Sequence, residues 1–289
     1  MAYSLYKGGT PLIQQPKFGS SNAGRIYLGT ERIYGAEPAS FIPSFSPYAY
    51  YDATNADSYD ATNKNWSDLA LVNTTDDSTF DTEVSSGEGK PTHNSNGYWE
   101  IRSNQSTNRG QGFRYGTTTS TTNPFSFLTT TSHTIITYVR LLTGDTDNDI
   151  IGSGVASGAV LMGGYGTGVP TRGHVWATSV KTVDTPTGLG NGNWGVMGQR
   201  FRLDGSNTRI SSFYCSFEES VVIANGSTFT PGTPTSSPYE IAVGGRGGHN
   251  NEVRGNFDIC GYALYRTELS DSEIQDVADE MFAQFGEPT

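Results

Sequence analysis

Three carboxylates alternate in Asp145-Thr146-Asp147-Asn148-Asp149, directly after a strongly apolar run. Hard oxygen ligands at that spacing can hold Ca²⁺, which makes Asp145, Asp147 and Asp149 the candidate metal ligands. The run lacks the downstream Gly and the bidentate Glu of an EF-hand loop, and a solvated acidic turn explains it better. Calcium is the one cofactor the sequence suggests, and otherwise none is expected. A second kind of chemistry lies in two Gly-rich loops. GGYGTGVPTRGHVW offers Tyr165 and Arg172, and GGRGGHNNEVRG offers Arg246, His249, Asn250 and Asn251. An aromatic ring on which a sugar stacks, with amides and guanidinium groups bonding its hydroxyls, is a plausible glycan site. The plainer reading is that such loops only connect strands. Both readings stay open for the loop residues, whereas Trp176 alternates in HVWAT as a core strand residue does.

Acid–base catalysis finds no support. A retaining glycosidase needs two carboxylates about 5–5.5 Å apart, which on one strand means acids at i and i+2 or i+4. Glu218 and Glu219 are adjacent, so on a strand they point to opposite faces; Glu100 and Asp258 are isolated. The histidines (His93, His133, His174, His249) are dispersed without ligand spacing. Ser-His-Asp chemistry has no nucleophile elbow. The sequence predicts no catalytic site.

These residues need a scaffold, and the composition says which kind. The chain has 289 residues with 36 Gly, 16 Tyr and 14 Phe, too aromatic for disorder. Short apolar runs separated by Gly, Asn, Asp, Ser and Thr clusters indicate an antiparallel all-β domain of ten to twelve strands. HTIITYVRLL, from His133 to Leu142, is apolar on both faces and belongs in the middle of a sheet covered on both sides. In GYWEIR, Trp99 and Ile101 should face inward. YDATN occurs at Tyr51–Asn55 and again at Tyr59–Asn63, and reads as a pair of Asx turns over packed tyrosines. Trp66 and Leu69 then start the core. Near the C-terminus, Ser270 and Glu273 form a capping box. Ile274, Val277, Ala278, Met281, Phe282 and Phe285 follow at helical spacing, and Gly286 offers the cap. That helix should pack on the sandwich.

The net charge of −11 argues against nucleic acid as a partner, because phosphate neutralisation needs clustered Lys and Arg. No span reaches transmembrane length. MAYSLYKGGTPLIQQ lacks an apolar signal core, so synthesis in the cytoplasm without a cleaved signal is expected. Cys215 and Cys260 read as two buried thiols rather than a disulfide. Residues 1–47 form a leader before the main domain, 48–289. Within it IYLGTERIYG reads as a hairpin, with Ile26, Tyr27 and Leu28 leading through a four-residue turn to Ile33 and Tyr34. An isolated hairpin is marginal in water, so these five apolar residues need something to pack on and are the candidate anchor.

Val243 to Arg246, Gly255 to Tyr265 and Leu269 to Ile274 resemble the closing elements of concanavalin A-like, laminin-G-like jelly-roll domains. Those end in a Gly-Gly-Arg strand exit, a variable loop, a strand opening after Gly, and a Leu-Ser-x-x-Glu-Ile helix start. Arg202 to Ser206 and the Trp66-Asp68-Leu69 phrase are similar to the same family, which spans about residues 48 to 286. The resemblance implies an all-β, two-sheet antiparallel jelly roll with a hairpin leader and one amphipathic C-terminal helix. IYLGTERIYG also looks like leaders found in structural proteins of tailed bacteriophages. That implies a non-enzymatic virion component, a capsid decoration or a tail or fibre protein. Its leader would bind other virion proteins, its sandwich would face solvent, and homo-oligomers are common among such proteins. The alternative implied by the same fold is an adhesin that contacts host surface glycans.

Overall fold

Runs rich in β-branched and aromatic residues become strands, and the segment with helical periodicity becomes a helix. The computed structural model describes residues 41–60, 65–70, 91–104, 109–110, 112–116, 126–142, 147–153, 160–165, 171–176, 180–231, 240–244 and 255–289, with six short strands before residue 41. The chain forms two compact units, Met1–Phe41 and Ile42–Thr289.

The first unit holds three antiparallel hairpins where the sequence reading found one. Tyr6–Lys7 pairs with Thr10–Pro11, Lys17–Phe18 with Ser21–Asn22, and Ile26–Leu28 with Glu31–Tyr34. Leu28 pairs directly with Glu31, so two residues, Gly29 and Thr30, separate the strands rather than four. In the sequence, Gly8-Gly9, Gly19-Ser20 and Gly29-Thr30 are the dipeptides between these paired strands. Gly at the first of two connecting residues is the sequence mark of a tight hairpin.

The second unit is a β-sandwich. In chain order the strands of its two large sheets are β1 (Ala49–Asp52), β2 (Thr92–Asn94), β3 (Tyr98–Ile101), β4 (Phe113–Gly116), β5 (His133–Leu141), β6 (Asp147–Ser153) and β7 (Val160–Tyr165). They continue with β8 (Thr171–Trp176), β9 (Val180–Asp184), β10 (Trp194–Arg202), β11 (Arg209–Ser216), β12 (Val222–Asn225), β13 (Glu240–Val243) and β14 (Phe257–Tyr265), before helix α1 (Asp271–Phe285). The eight-stranded sheet runs β2-β3-β14-β5-β10-β11-β12, with β1 paired to the C-terminal half of β14. The six-stranded sheet runs β4-β13-β6-β7-β8-β9. Every pairing is antiparallel.

The core between the sheets takes Trp99, Ile101, Ile135, Val139, Met197 and Phe201 from one side and Phe113, Ile150, Ile151 and Val243 from the other. Trp66 lies at its aromatic centre, 5.3 Å from Tyr262 and 5.4 Å from Phe113 between ring centroids. Tyr51 stacks on Tyr262 at 4.4 Å. In the first YDATN copy Asp52 Oδ1 accepts from the Thr54 amide at 2.7 Å, the Asx turn its sequence predicts.

On β14 the core residues are Phe257 and Ile259, then Tyr262 and Leu264, an odd step that a plain strand cannot make. A bulge supplies it. Tyr138 pairs with Gly261 and Val139 with Ile259, which leaves Cys260 as the extra residue. Gly261 is required there, because a Cβ would lie 2.7 Å from both the Tyr51 carbonyl oxygen and the Phe285 ring.

Helix α1 covers the outer face of the eight-stranded sheet. Ser270 accepts from the Glu273 amide while Glu273 accepts from the Ser270 amide, and the six predicted apolar residues are buried. Burial of each of the five larger side chains contributes about 1.5–3 kcal/mol. Tyr138 stacks on Trp194 at 5.6 Å and meets the rings of Phe282 and Phe285. That cover explains why Tyr138 and Ile136 of β5 are fully buried although they point away from the core. Tyr98 is buried on the same face against the Trp194 ring and the Arg140 guanidinium. Ser44 bonds Glu280, and Tyr265 donates to the Ser44 carbonyl at 3.2 Å, so residues 42–47 belong to the sandwich. Cys215 and Cys260 are free and buried; burial pushes the Cys215 thiol up to about 12.

His133 starts β5 in full burial beside Phe127 and Phe201. Desolvation lowers its pKa from 6.5 to about 4, and its bond to the Thr131 carbonyl opposes that only in part. The folded chain therefore holds the neutral ring. The associated stability is fully present above pH 6.5 and is lost as pH falls through the window down to about 4. The shift corresponds to about 3 kcal/mol. Urea midpoints measured from pH 7.5 to 4.5 should fall steeply in this window, and a His133→Asn variant should show a shallower fall.

Candidate functional site

A cleft opens along one side of the sandwich, where edge strand β9 of the six-stranded sheet approaches β11 and β12 of the other. Three contacts set its walls. Ser212 donates to the Val183 carbonyl at 2.9 Å and ties the sheets together. The Gly226 amide donates to Ile210 O at 2.9 Å, and the Phe229 amide to Thr208 O at 2.8 Å, so the segment after β12 folds back along β11. Gly226 sits where that segment meets Val183; a Cβ there would overlap the Val183 side chain and lie 3.0 Å from Ile210 O. The chain can turn this closely only through glycine.

The resulting space is about 160 Å³, with Lys181, Thr182 and Val183 on one wall, Gly226, Ser227, Thr228 and Phe229 on the other, and Ile210 below. Thr182, Ser227 and Thr228 are exposed, while Phe229 and Val183 are half-buried against the core. The Lys181 ammonium lies 5.6 Å from the centre of the Phe229 ring, a cation–π contact that holds it at the rim. Hydroxyls that donate and accept, a hydrocarbon floor and a ring suit a small polyhydroxylated ligand. The lining contains no carboxylate, histidine or cysteine, so it lacks the pair of acids that glycoside hydrolysis uses.

A second polar cluster lies on the outer face of the other sheet. Asp258, isolated in the sequence, is inside β14, with a side chain 1% exposed. Arg140 Nε and Nη2 donate to its Oδ2 at 2.9 and 2.6 Å, and Arg102 Nη2 donates to Oδ1 at 2.7 Å. The Arg140 guanidinium also lies over the Trp194 and Tyr98 rings, 4.8 and 5.3 Å from their centres. Both Asp258 oxygens and most of both guanidinium edges are occupied, so this network holds the sheet rather than a ligand. Asp52 is similar: burial raises its pKa, opposed by bonds from Thr54, Gln284 and Tyr50 that satisfy it within the protein.

The residues singled out from sequence do not converge among the described ones. Tyr165 and Arg172, expected in a loop, are backbone members of β7 and β8. Arg172 is in register with Gly163 on one side and Asp184 on the other. Arg246, His249, Asn250 and Asn251 lie outside the described residues, as does Asp145. Asp147 and Asp149 open β6 instead of forming a loop, because Asp147 pairs with Tyr165 and Asp149 with Gly163; Asp149 is buried. Among the described residues no three His, Cys, Asp or Glu side chains are grouped to hold a metal. Ile26, Tyr27, Leu28 and Tyr34 lie in paired strands, but Tyr27 and Leu28 pair with Arg32 and Glu31, which were expected in the turn, and Ile33 is the extra residue of a bulge. The cleft escaped the sequence reading because its parts are 45 residues apart; the Asn225-Gly226 turn was its one visible sign.

No family model and no curated protein matches the chain. Its fold is nevertheless shared with solved structures. The binding domain of botulinum neurotoxin serotype C1 overlaps 82% of this chain and 52% of its own, at 11% identity and TM-score 0.52. The Trypanosoma rangeli sialidase in complex with 2,3-difluoro-KDN overlaps 84% of this chain and 33% of its own, at 12% identity and TM-score 0.53. A carbohydrate-binding module, CBM40, of a Ruminococcus gnavus sialidase overlaps 58% of this chain and 92% of its own, at 13% identity and TM-score 0.43. The chain thus spans about half the toxin domain and a third of the trypanosome enzyme. At these identities the likeness establishes the β-sandwich fold.

Proposed function

We propose that the chain is a non-catalytic glycan-binding protein whose sandwich takes sugars in the cleft between β9 and the 226–229 segment. The observation that carries this reading is the cleft itself: the exposed hydroxyls of Ser227 and Thr228 on one wall, an apolar floor, a ring and the Lys181 ammonium at the rim, with no carboxylate or histidine in the lining. The fold's company adds support. The type C botulinum toxin depends on interaction with two ganglioside molecules to enter cells, and the R. gnavus module binds sialyllactose.

Glycan-array binding tests it, followed by calorimetry on a retained sugar. Wild type should bind, and Ser227→Leu, an exposed substitution that fills the cleft, should bind at least about tenfold more weakly with an unchanged melting temperature. Silence across the array, or an unaffected Ser227→Leu variant, would refute the assignment.

A second part of the reading concerns the 1–41 unit. Among the described residues its strands, of two to four residues each, pair as separate two-stranded hairpins. Ladders that short do not stand alone in water. We propose that this unit attaches the sandwich to a larger particle through Ile26, Tyr27, Leu28, Ile33 and Tyr34, and the leader's resemblance to phage virion proteins makes a capsid or tail that particle. A chain without residues 1–41 should keep its glycan binding and fail to join particles; incorporation of the truncated chain would disprove the attachment role.

A further inference from the structure

We infer that the cleft selects glycans bearing a carboxylate, with Lys181 as the residue that reads the acid; this rests on the glycan-binding reading above and narrows it. Four described arginines, Arg102, Arg140, Arg200 and Arg202, pair with carboxylates, while Arg266, away from the cleft lining, lies over the rings of Tyr48 and Phe127. Lys181 pairs with none among the described residues, and its one recorded partner is the ring of Phe229. A ring face orients an ammonium without neutralising it. Lys181 therefore presents an uncompensated positive charge at the mouth of a concave site, in a chain whose net charge is −11. The surrounding negative charge repels anions generally, so a single cation in the cleft matters most for a ligand whose neutral part already fits there.

The neighbouring groups fit the remainder of such a ligand. Ser227 and Thr228, both exposed, can bond ring hydroxyls, and the half-buried Val183 and Phe229 can take the apolar face of the sugar. A neutral sugar would use these same groups and gain from Lys181 only a hydrogen bond to a hydroxyl, without the pairing of opposite charges. Lys181 and Val183 share one strand face by the two-residue period of β9, which brings charge and apolar surface to the same side.

The experiment is an array of uronic- and sialic-acid-terminated oligosaccharides, each beside its carboxyl-reduced form, probed with the full chain and with Lys181→Gln and Lys181→Arg. Wild type should prefer the acidic member of a pair by about tenfold, with the preference shrinking as salt rises. Lys181→Gln should bind both members equally, and Lys181→Arg should restore part of the preference. Equal binding of acidic and reduced forms by wild type would overturn the inference and leave the glycan-binding reading standing. A preference that survives Lys181→Gln would remove Lys181 from the role. Absence of binding to any glycan, acidic or neutral, would overturn both.

Discussion

Asp258→Asn should lower the stability of the sandwich by about 2–3 kcal/mol. The substitution keeps the shape of the side chain and removes its charge, which leaves Arg140 and Arg102 without the anion they share at 2.6 and 2.7 Å. Breaking a fully buried pair costs about 3–5 kcal/mol. The lower figure applies because the two arginine side chains are 21% and 37% exposed and water screens part of the loss. In a domain of this size that is a fall in melting temperature of about 5–10 °C. Glu100 supplies the control: it is 3.7 Å from Arg102 with both side chains partly exposed, and Glu100→Gln should cost under about 1 kcal/mol. Equal effects from the two substitutions would show that burial of Asp258 does not govern the network.

Gly198→Ala should be comparably severe, at about 3 kcal/mol. Gly198 faces Phe213 across β10 and β11 and lies beside β5, and an added Cβ would overlap both the Phe213 ring and the Ile135 carbonyl oxygen. Overpacking a filled interior usually costs about 1–3 kcal/mol, and contact with backbone places this site at the upper end. Adding Phe213→Leu should recover only part of the loss, because the carbonyl overlap remains. Urea denaturation of the single and double variants measures both effects; full recovery in the double variant would locate the whole strain in the ring.

The same residues show why the fold was legible and the site was not. β5 is apolar at successive positions because both its faces are covered, and helix α1 carries its cap, its stripe and its terminal glycine within 17 contiguous residues. Local pattern determines such elements. The count of strands was underestimated, at ten to twelve against fourteen described in the two large sheets, because three- to four-residue strands such as β2 and β4 leave no period to read. Asp258 could not be assigned from FDIC, since its partners are 118 and 156 residues away. The odd step in β14 arises at a bulge, which alternation alone does not reveal. Tyr165 and Arg172 were assigned to a loop from flanking glycines, yet Gly163, Gly164 and Gly173 are paired strand residues. The cleft needed two sheet edges to meet before Lys181 and Phe229 could become neighbours.

Amide chemical-shift mapping during titration with a glycan that the array retains bears most directly on the central claim. The resonances of residues 181–183 and 226–229 should move together and saturate with one dissociation constant, with Ser227→Leu abolishing the response. Shifts centred instead on Tyr165, Arg172 and residues 246–251, or no shifts at the cleft while the sugar binds, would contradict it.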